Sequence, residues 1–138
     1  MPKSAPVSFS GKLTKVATPA YIQAGKEDHI APVESVWQIT RHFTGPIKFV
    51  LAGSGHIAGV VNPPSQQKYQ YWLNPNPVET LAEFVAGATE TKGSWWPDWI
   101  DWLRQQDGAM VPASANRVPG QGALAAIEDA PGSYVRAR

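Results

Sequence analysis

The 138-residue chain contains no cysteine. That excludes disulfides, thiolate metal sites and a cysteine nucleophile among these residues. Charge of one sign is also lacking. The net charge is +1, so nothing electrostatic favours nucleic acid or an anionic membrane as a partner. No apolar run approaches the roughly 18 residues of a membrane-spanning helix, so no membrane span is expected. Met1-Pro2-Lys3-Ser4 has a lysine but no hydrophobic stretch behind it and makes a poor signal peptide. A cytoplasmic setting is the default. No P-loop, G-x-G-x-x-G or G-x-S-x-G pattern occurs, and the three histidines lack zinc-ligand spacing.

What is present is the material of one small domain: 43% apolar residues, with 13 prolines and 12 glycines implying many loops. The organisation predicted is an irregular N-terminal segment (1–17, with a weak strand or turn around Phe9 to Val16), a folded part (18–106) and an extended tail (107–138). Tyr21 to Ala24, closed by Gly25, reads as a short buried strand, and Ile47 to Leu51 as a second. Between them Pro32 suits the first turn of a helix, with Glu34 near its positive end. Val33, Val36, Trp37, Thr40 and Phe43 recur at helical spacing until Gly45-Pro46 stops them. Strand, helix, strand with short connections predicts a parallel βαβ unit.

After Val61 the segment Asn62-Pro63-Pro64 is expected to leave the sheet in an extended loop. Asn76 then looks like an N-cap, with Pro77 in the first turn and Glu79 completing a capping-box pattern. Val78, Leu81, Ala82 and Val85 would share one face, ended by Gly87. Ser94 can cap a third helix bearing Trp95, Trp96, Trp99 and Trp102. Tryptophans at that spacing usually pack in a core, and an exposed aromatic patch is the sharper alternative. Lys3, Lys12, Lys15, Arg136 and Arg138 read as solvated charges. Two parallel strands and three helices make a thin core with both sheet edges open, which implies that something else supplies the rest of the sheet.

Asp28 lies just past the first strand and His56 just past the second, in the glycine-rich loop Gly53-Ser54-Gly55-His56. An acid after one strand and a histidine after the next is how α/β-hydrolases supply two members of a nucleophilic triad. The acid can hold the imidazole by its Nδ1–H and fix its tautomer. The bland readings are a turn aspartate capping the next helix and a surface-loop histidine. Glu27 competes for the acid role. Ser54 is too close to His56 in sequence to reach it from a separate elbow. His29 reads as a structural histidine and His42 as a helix-surface one.

Gly25-Lys26-Glu27-Asp28-His29-Ile30, Gly53-Ser54-Gly55-His56-Ile57-Ala58-Gly59-Val60-Val61-Asn62-Pro63-Pro64 and Gly93-Ser94-Trp95-Trp96-Pro97-Asp98-Trp99 resemble the C-terminal region of polyhydroxyalkanoate synthases. Ala130-Pro131-Gly132-Ser133-Tyr134-Val135 is similar to that family's C-terminus. The resemblance covers about residue 12 to the end, and its Gly-Ser-Gly-His-Ile-Ala-Gly version resembles the class I, short-chain enzymes. It implies the C-terminal portion of an α/β-hydrolase fold with an incomplete sheet. It also implies an acyltransferase that polymerises (R)-3-hydroxyacyl-CoA into polyester with release of CoA. Asp28 and His56 match the family's triad aspartate and histidine. The triad cysteine lies upstream in the family and has no counterpart here, so the chain alone is expected to be inactive. The partners implied are the CoA thioester as substrate, with no separate cofactor, the growing polyester and the N-terminal part of the synthase. A homodimer and a place at the surface of cytoplasmic granules are also implied. Two other classes remain open: a non-catalytic module that binds a synthase or granule, and a fragment of a depolymerase- or esterase-type hydrolase.

Overall fold

The computed structural model describes residues 12–112 and 120–137. The chain divides into two units, Met1–Gln106 and Asp107–Arg138. In the first, strands β1 (Ala20–Gly25), β2 (Ile47–Ala52), β3 (Gln70–Leu73) and β4 (Thr89–Lys92) form one sheet in the order β1-β2-β3-β4. Helices α1 (Val33–Trp37), α2 (Leu81–Gly87) and α3 (Trp96–Gln106) cover it.

β1 and β2 pair in parallel, with Tyr21 opposite Lys48 and Ala24 opposite Leu51. The crossover between them holds α1 and a following 3-10 turn, Gln38–Arg41. The periodicity predicted one helix through Phe43. Instead the chain tightens after Trp37, where Thr40 Oγ1 donates to the Trp37 carbonyl at 2.8 Å. Below β1, the Thr44 and Gly45 N–H groups both donate to the Val16 carbonyl. A Cβ at Gly45 would lie 2.3 Å from the Ala17 carbonyl oxygen, so only glycine allows this approach.

The sheet has two strands more than expected. β3 runs antiparallel to β2 and β4 antiparallel to β3, so the sheet is mixed and β2 lies inside it. Alternation along β1 and β2 builds two cores. Ala24, Phe49 and Leu51 pack with Trp37 and Phe84 beneath α1 and α2, and the rings of Trp37, Phe49 and Phe84 meet mutually, mostly edge to face. Val50, Ala52 and Tyr71 pack with Trp95 on the other side. β1 and β4 are the sheet's edges. All four residues of β4, Thr89-Glu90-Thr91-Lys92, are exposed.

Helix α2 starts later than the Asn76 pattern predicted. Thr80 is the N-cap: its Oγ1 accepts from the Glu83 N–H at 3.2 Å, and Glu83 accepts from the Thr80 N–H at 3.0 Å, a complete capping box. The Asn76 N–H is instead taken by Asn74 Oδ1. The later start turns Phe84 into the core and leaves Ala82 and Val85 exposed. Residues 57–61 coil back in a hydrogen-bonded turn, and Pro64–Gln66 form a 3-10 turn where an extended loop was expected. α3 begins at Trp96, whose N–H is capped by Ser94 Oγ at 3.1 Å. Trp95 lies just before the helix and is buried, Trp102 is half-buried, and Trp99 is partly exposed. The Phe9–Val16 expectation resolves to a 3-10 turn at Leu13–Lys15, with Phe9, Ser10 and Gly11 outside the described residues. In the second unit, Glu128 Oε1 accepts from the Ser133 N–H and hydroxyl, beside a 3-10 turn at Ser133–Arg136.

Candidate active site

The loops that leave β1 and β2 remain stitched together past the end of the ladder. The Lys26 N–H donates to the Ala52 carbonyl at 2.8 Å and the Glu27 N–H to the Ser54 carbonyl at 3.2 Å. This contact is close because residue 25 is glycine: a Cβ there would lie 3.1 Å from the Asp28 Cβ and 3.2 Å from the Ser54 oxygen. Ser54 takes the left-handed conformation, with φ 74°, which turns the chain sharply just before Gly55 and His56.

The two loops bring His56 Nδ1 to 2.8 Å from Asp28 Oδ2. The Asp28 side chain is 7% exposed and that of His56 47%. The other oxygen, Asp28 Oδ1, accepts the N–H groups of Ile30 and Ala31, each at 2.9 Å. The carboxyl is held below its ordinary value of 3.8, first by the Ala31 N–H, then by His56 and the Ile30 N–H, against an opposing desolvation. An ionised carboxylate can only accept, so the proton of this bond sits on Nδ1. The Nε2 lone pair is then left on a half-exposed ring. This is the orientation in which an imidazole serves as a general base and, once protonated, is stabilised by the carboxylate behind it.

The competing residues stay apart from this pair. Glu27 is exposed, and its carboxylate makes no hydrogen bond among the described residues. His29 and His42 are both exposed. Ser54 lies on the histidine's own loop.

Two further groups act on the loop and escaped the sequence reading. Trp95 Nε1–H donates to the Gly59 carbonyl at 2.9 Å, and Trp96 Nε1–H to the Val60 carbonyl at 3.0 Å. Each bond spans 36 residues, so no local spacing announces it. The adjacent pair Trp95-Trp96 beside a glycine-rich loop is the only hint the sequence holds.

On the same sheet face, but at the amino ends of the strands, Asp98 of α3 accepts from the Tyr21 hydroxyl at 2.8 Å and pairs with Lys48 at 2.6 Å. Burial, with Asp98 beside it, pushes the Tyr21 phenol far above its ordinary value.

An acid and a histidine thus meet in joined loops at the carboxyl ends of two parallel strands, within a mixed α/β sheet. No family model matches the chain. Individual proteins do. The poly(3-hydroxyalkanoate) polymerase subunit PhaC of Rhizobium meliloti (strain 1021) is 52% identical over 126 residues, covering 91% of this chain and 20% of that protein. The PhaC subunit of Cupriavidus necator is 44% identical over 91% of this chain and 21% of its own length. Poly(3-hydroxyalkanoate) polymerase 2 of Ectopseudomonas oleovorans is 35% identical over 91% and 22%. The chain is similar, over 91% of its own length, to a part of the poly(3-hydroxyalkanoate) polymerases. It spans about one fifth of the length of the curated relatives it matches.

Proposed function

We propose that this chain supplies the acid–base half of a polyhydroxyalkanoate synthase active site. The observation that carries the reading is the 2.8 Å contact between His56 Nδ1 and an almost fully enclosed Asp28. The nucleophile is a cysteine from outside these 138 residues. His56 Nε2 takes the thiol proton, and the thiolate attacks the thioester carbonyl of (R)-3-hydroxyacyl-CoA. The acyl–cysteine bond forms, the carbon–sulfur bond to CoA breaks, and the departing CoA thiolate takes the proton back from His56. In the second step His56 accepts the proton of an acceptor hydroxyl as that oxygen attacks the acyl-cysteine. An ester forms and the cysteine thiol is regenerated. Asp28 holds the imidazole tautomer throughout and stabilises the imidazolium. On this reading the four strands are one end of an α/β-hydrolase sheet that continues beyond β1, and the site works at the surface of a polyester granule.

The test is complementation. The chain is co-expressed with the upstream, cysteine-bearing part of a related polymerase, and CoA release is followed. Release only when both are present is expected, because a triad without its nucleophile retains almost none of its catalysis. Full activity of Asp28→Asn and His56→Ala in that pair would overturn the assignment. Loss of preformed polymer without CoA release would replace it with a hydrolase that uses water as the acceptor.

A further inference from the structure

His56 owes its position to more than Asp28. Its side chain is half exposed and held at one point, so the backbone beneath it must fix where the ring starts. That backbone is a tight turn. The Gly59 N–H returns to the Gly55 carbonyl at 2.9 Å, and the Val60 and Val61 N–H groups return to Ile57 at 3.1 and 2.8 Å. From inside, Gly59 is pressed against the strand end: a Cβ there would lie 2.9 Å from the carbonyl oxygens of both Gly53 and Gly55. From outside, two successive carbonyls, Gly59 and Val60, accept the indole N–H groups of two successive residues, Trp95 and Trp96. Trp95 is itself immobilised by stacking on Tyr21 and by contact with Trp96 and Trp99.

We propose that Trp95 and Trp96 are positioning residues for His56. Their paired N–H groups clamp the turn that carries the imidazole and so keep Nδ1 on Asp28. The role rests on the acid–base reading above. A neutral hydrogen bond contributes only about 1 kcal/mol net, but misplacing a reacting group by about 1 Å can cost about a hundredfold in rate. The clamp therefore matters more for the geometry of His56 than for the stability of the fold.

The test uses the whole 138-residue chain and the ring-nitrogen NMR signals of its histidines, with His56 assigned by their loss in His56→Gln. Wild type should show His56 in the Nδ1–H tautomer. Trp96→Phe keeps an aromatic ring and removes the N–H, and it should lower the tautomer preference roughly fivefold, the equivalent of one hydrogen bond. Phe84→Leu in the core beneath α1 and α2, on the other side of the sheet from Trp95, should lower the unfolding temperature and leave the tautomer alone, which separates positioning from general destabilisation. A folded Trp96→Phe with the wild-type His56 spectrum overturns the proposal. Should that variant fail to fold, indole hydrogen exchange in wild type decides. Trp95 and Trp96 N–H groups that exchange as fast as that of Trp99 overturn the clamp, and marked protection supports it. If Asp28→Asn shifts the His56 tautomer and Trp96→Phe does not, the clamp fails and the acid–base pair stands. If Asp28→Asn leaves the tautomer unchanged, the pair itself is wrong and the clamp's role goes with it.

Discussion

Two carboxylates lie at opposite ends of the same pair of strands, and each meets a nitrogen cation or its precursor. At the amino end Asp98 is shared by the Tyr21 hydroxyl and the Lys48 ammonium. At the carboxyl end Asp28 is shared by two backbone N–H groups and the His56 imidazole. In the first set the phenol is pushed still further from ionising, by burial and by Asp98 beside it. The second set pairs a fixed anion with an imidazole that can both donate and accept a proton and is half open to solvent. On the proposed reading, similar hydrogen-bond chemistry makes a fastener at one end and a proton-transfer device at the other. The difference is the partner and its exposure.

If the division is right, His56→Ala should lower CoA release by complemented enzyme on the order of a thousandfold, within the range for losing a general base, and barely move the urea midpoint of the chain. Asp98→Ala should do the reverse. It leaves Lys48 and Tyr21 without their acceptor and should cost about 1–2 kcal/mol in urea unfolding, a figure reduced because the lysine head is over a third exposed. CoA release should hardly change. A large activity loss in Asp98→Ala would erase the distinction. Glu83 offers a third carboxylate that faces neither cation nor imidazole. Removing its capping partner by Thr80→Ala should cost about 1 kcal/mol, read by thermal unfolding, with activity intact.

The smallest effect is in acid. Asp28 and Glu83 are both held below their ordinary values of 3.8 and 4.5, Asp28 first by the Ala31 N–H and Glu83 first by the Thr80 N–H. Each therefore contributes stability that is present above those values and is lost as pH falls through the lowered folded values. Asp28→Asn should be less stable than wild type at neutral pH and converge with it in acid. A constant offset across that window, in stability curves taken from pH 7 downward, would show that the aspartate's charge is not what the folded state uses.

The parallel strands, and the positions of Asp28 and His56 just past them, were legible because Ala20–Ala24 and Ile47–Leu51 are short, mostly apolar runs, each with a single polar residue (Gln23, Lys48), that are closed by glycine-bearing turns. β4 was not, since Thr-Glu-Thr-Lys is exposed on every residue and has no apolar face to give it a period. β3, Gln70-Tyr71-Trp72-Leu73, is short and depends on its antiparallel neighbours for its register. At α2 two overlapping patterns, Asn76 to Glu79 and Thr80 to Glu83, both satisfy the capping rule. Only the burial of Phe84 beside Trp37 and Phe49 decides between them. The tryptophan clamp depends on contacts far apart in the chain, which no periodicity encodes.

The two edges of the sheet also bear on how such chains can assemble. β4 presents Glu90 and Lys92, charges that resist addition of another strand, whereas Ala20-Tyr21-Ile22-Gln23-Ala24 of β1 carries no charge at all. Growth is thus possible from one side only. On the proposed reading the newcomer is a strand of the longer polymerase, and the sheet continues beyond it. One charged border and one uncharged border give the sheet a direction, with β1 the side that can accept a further strand and β4 the side that resists one.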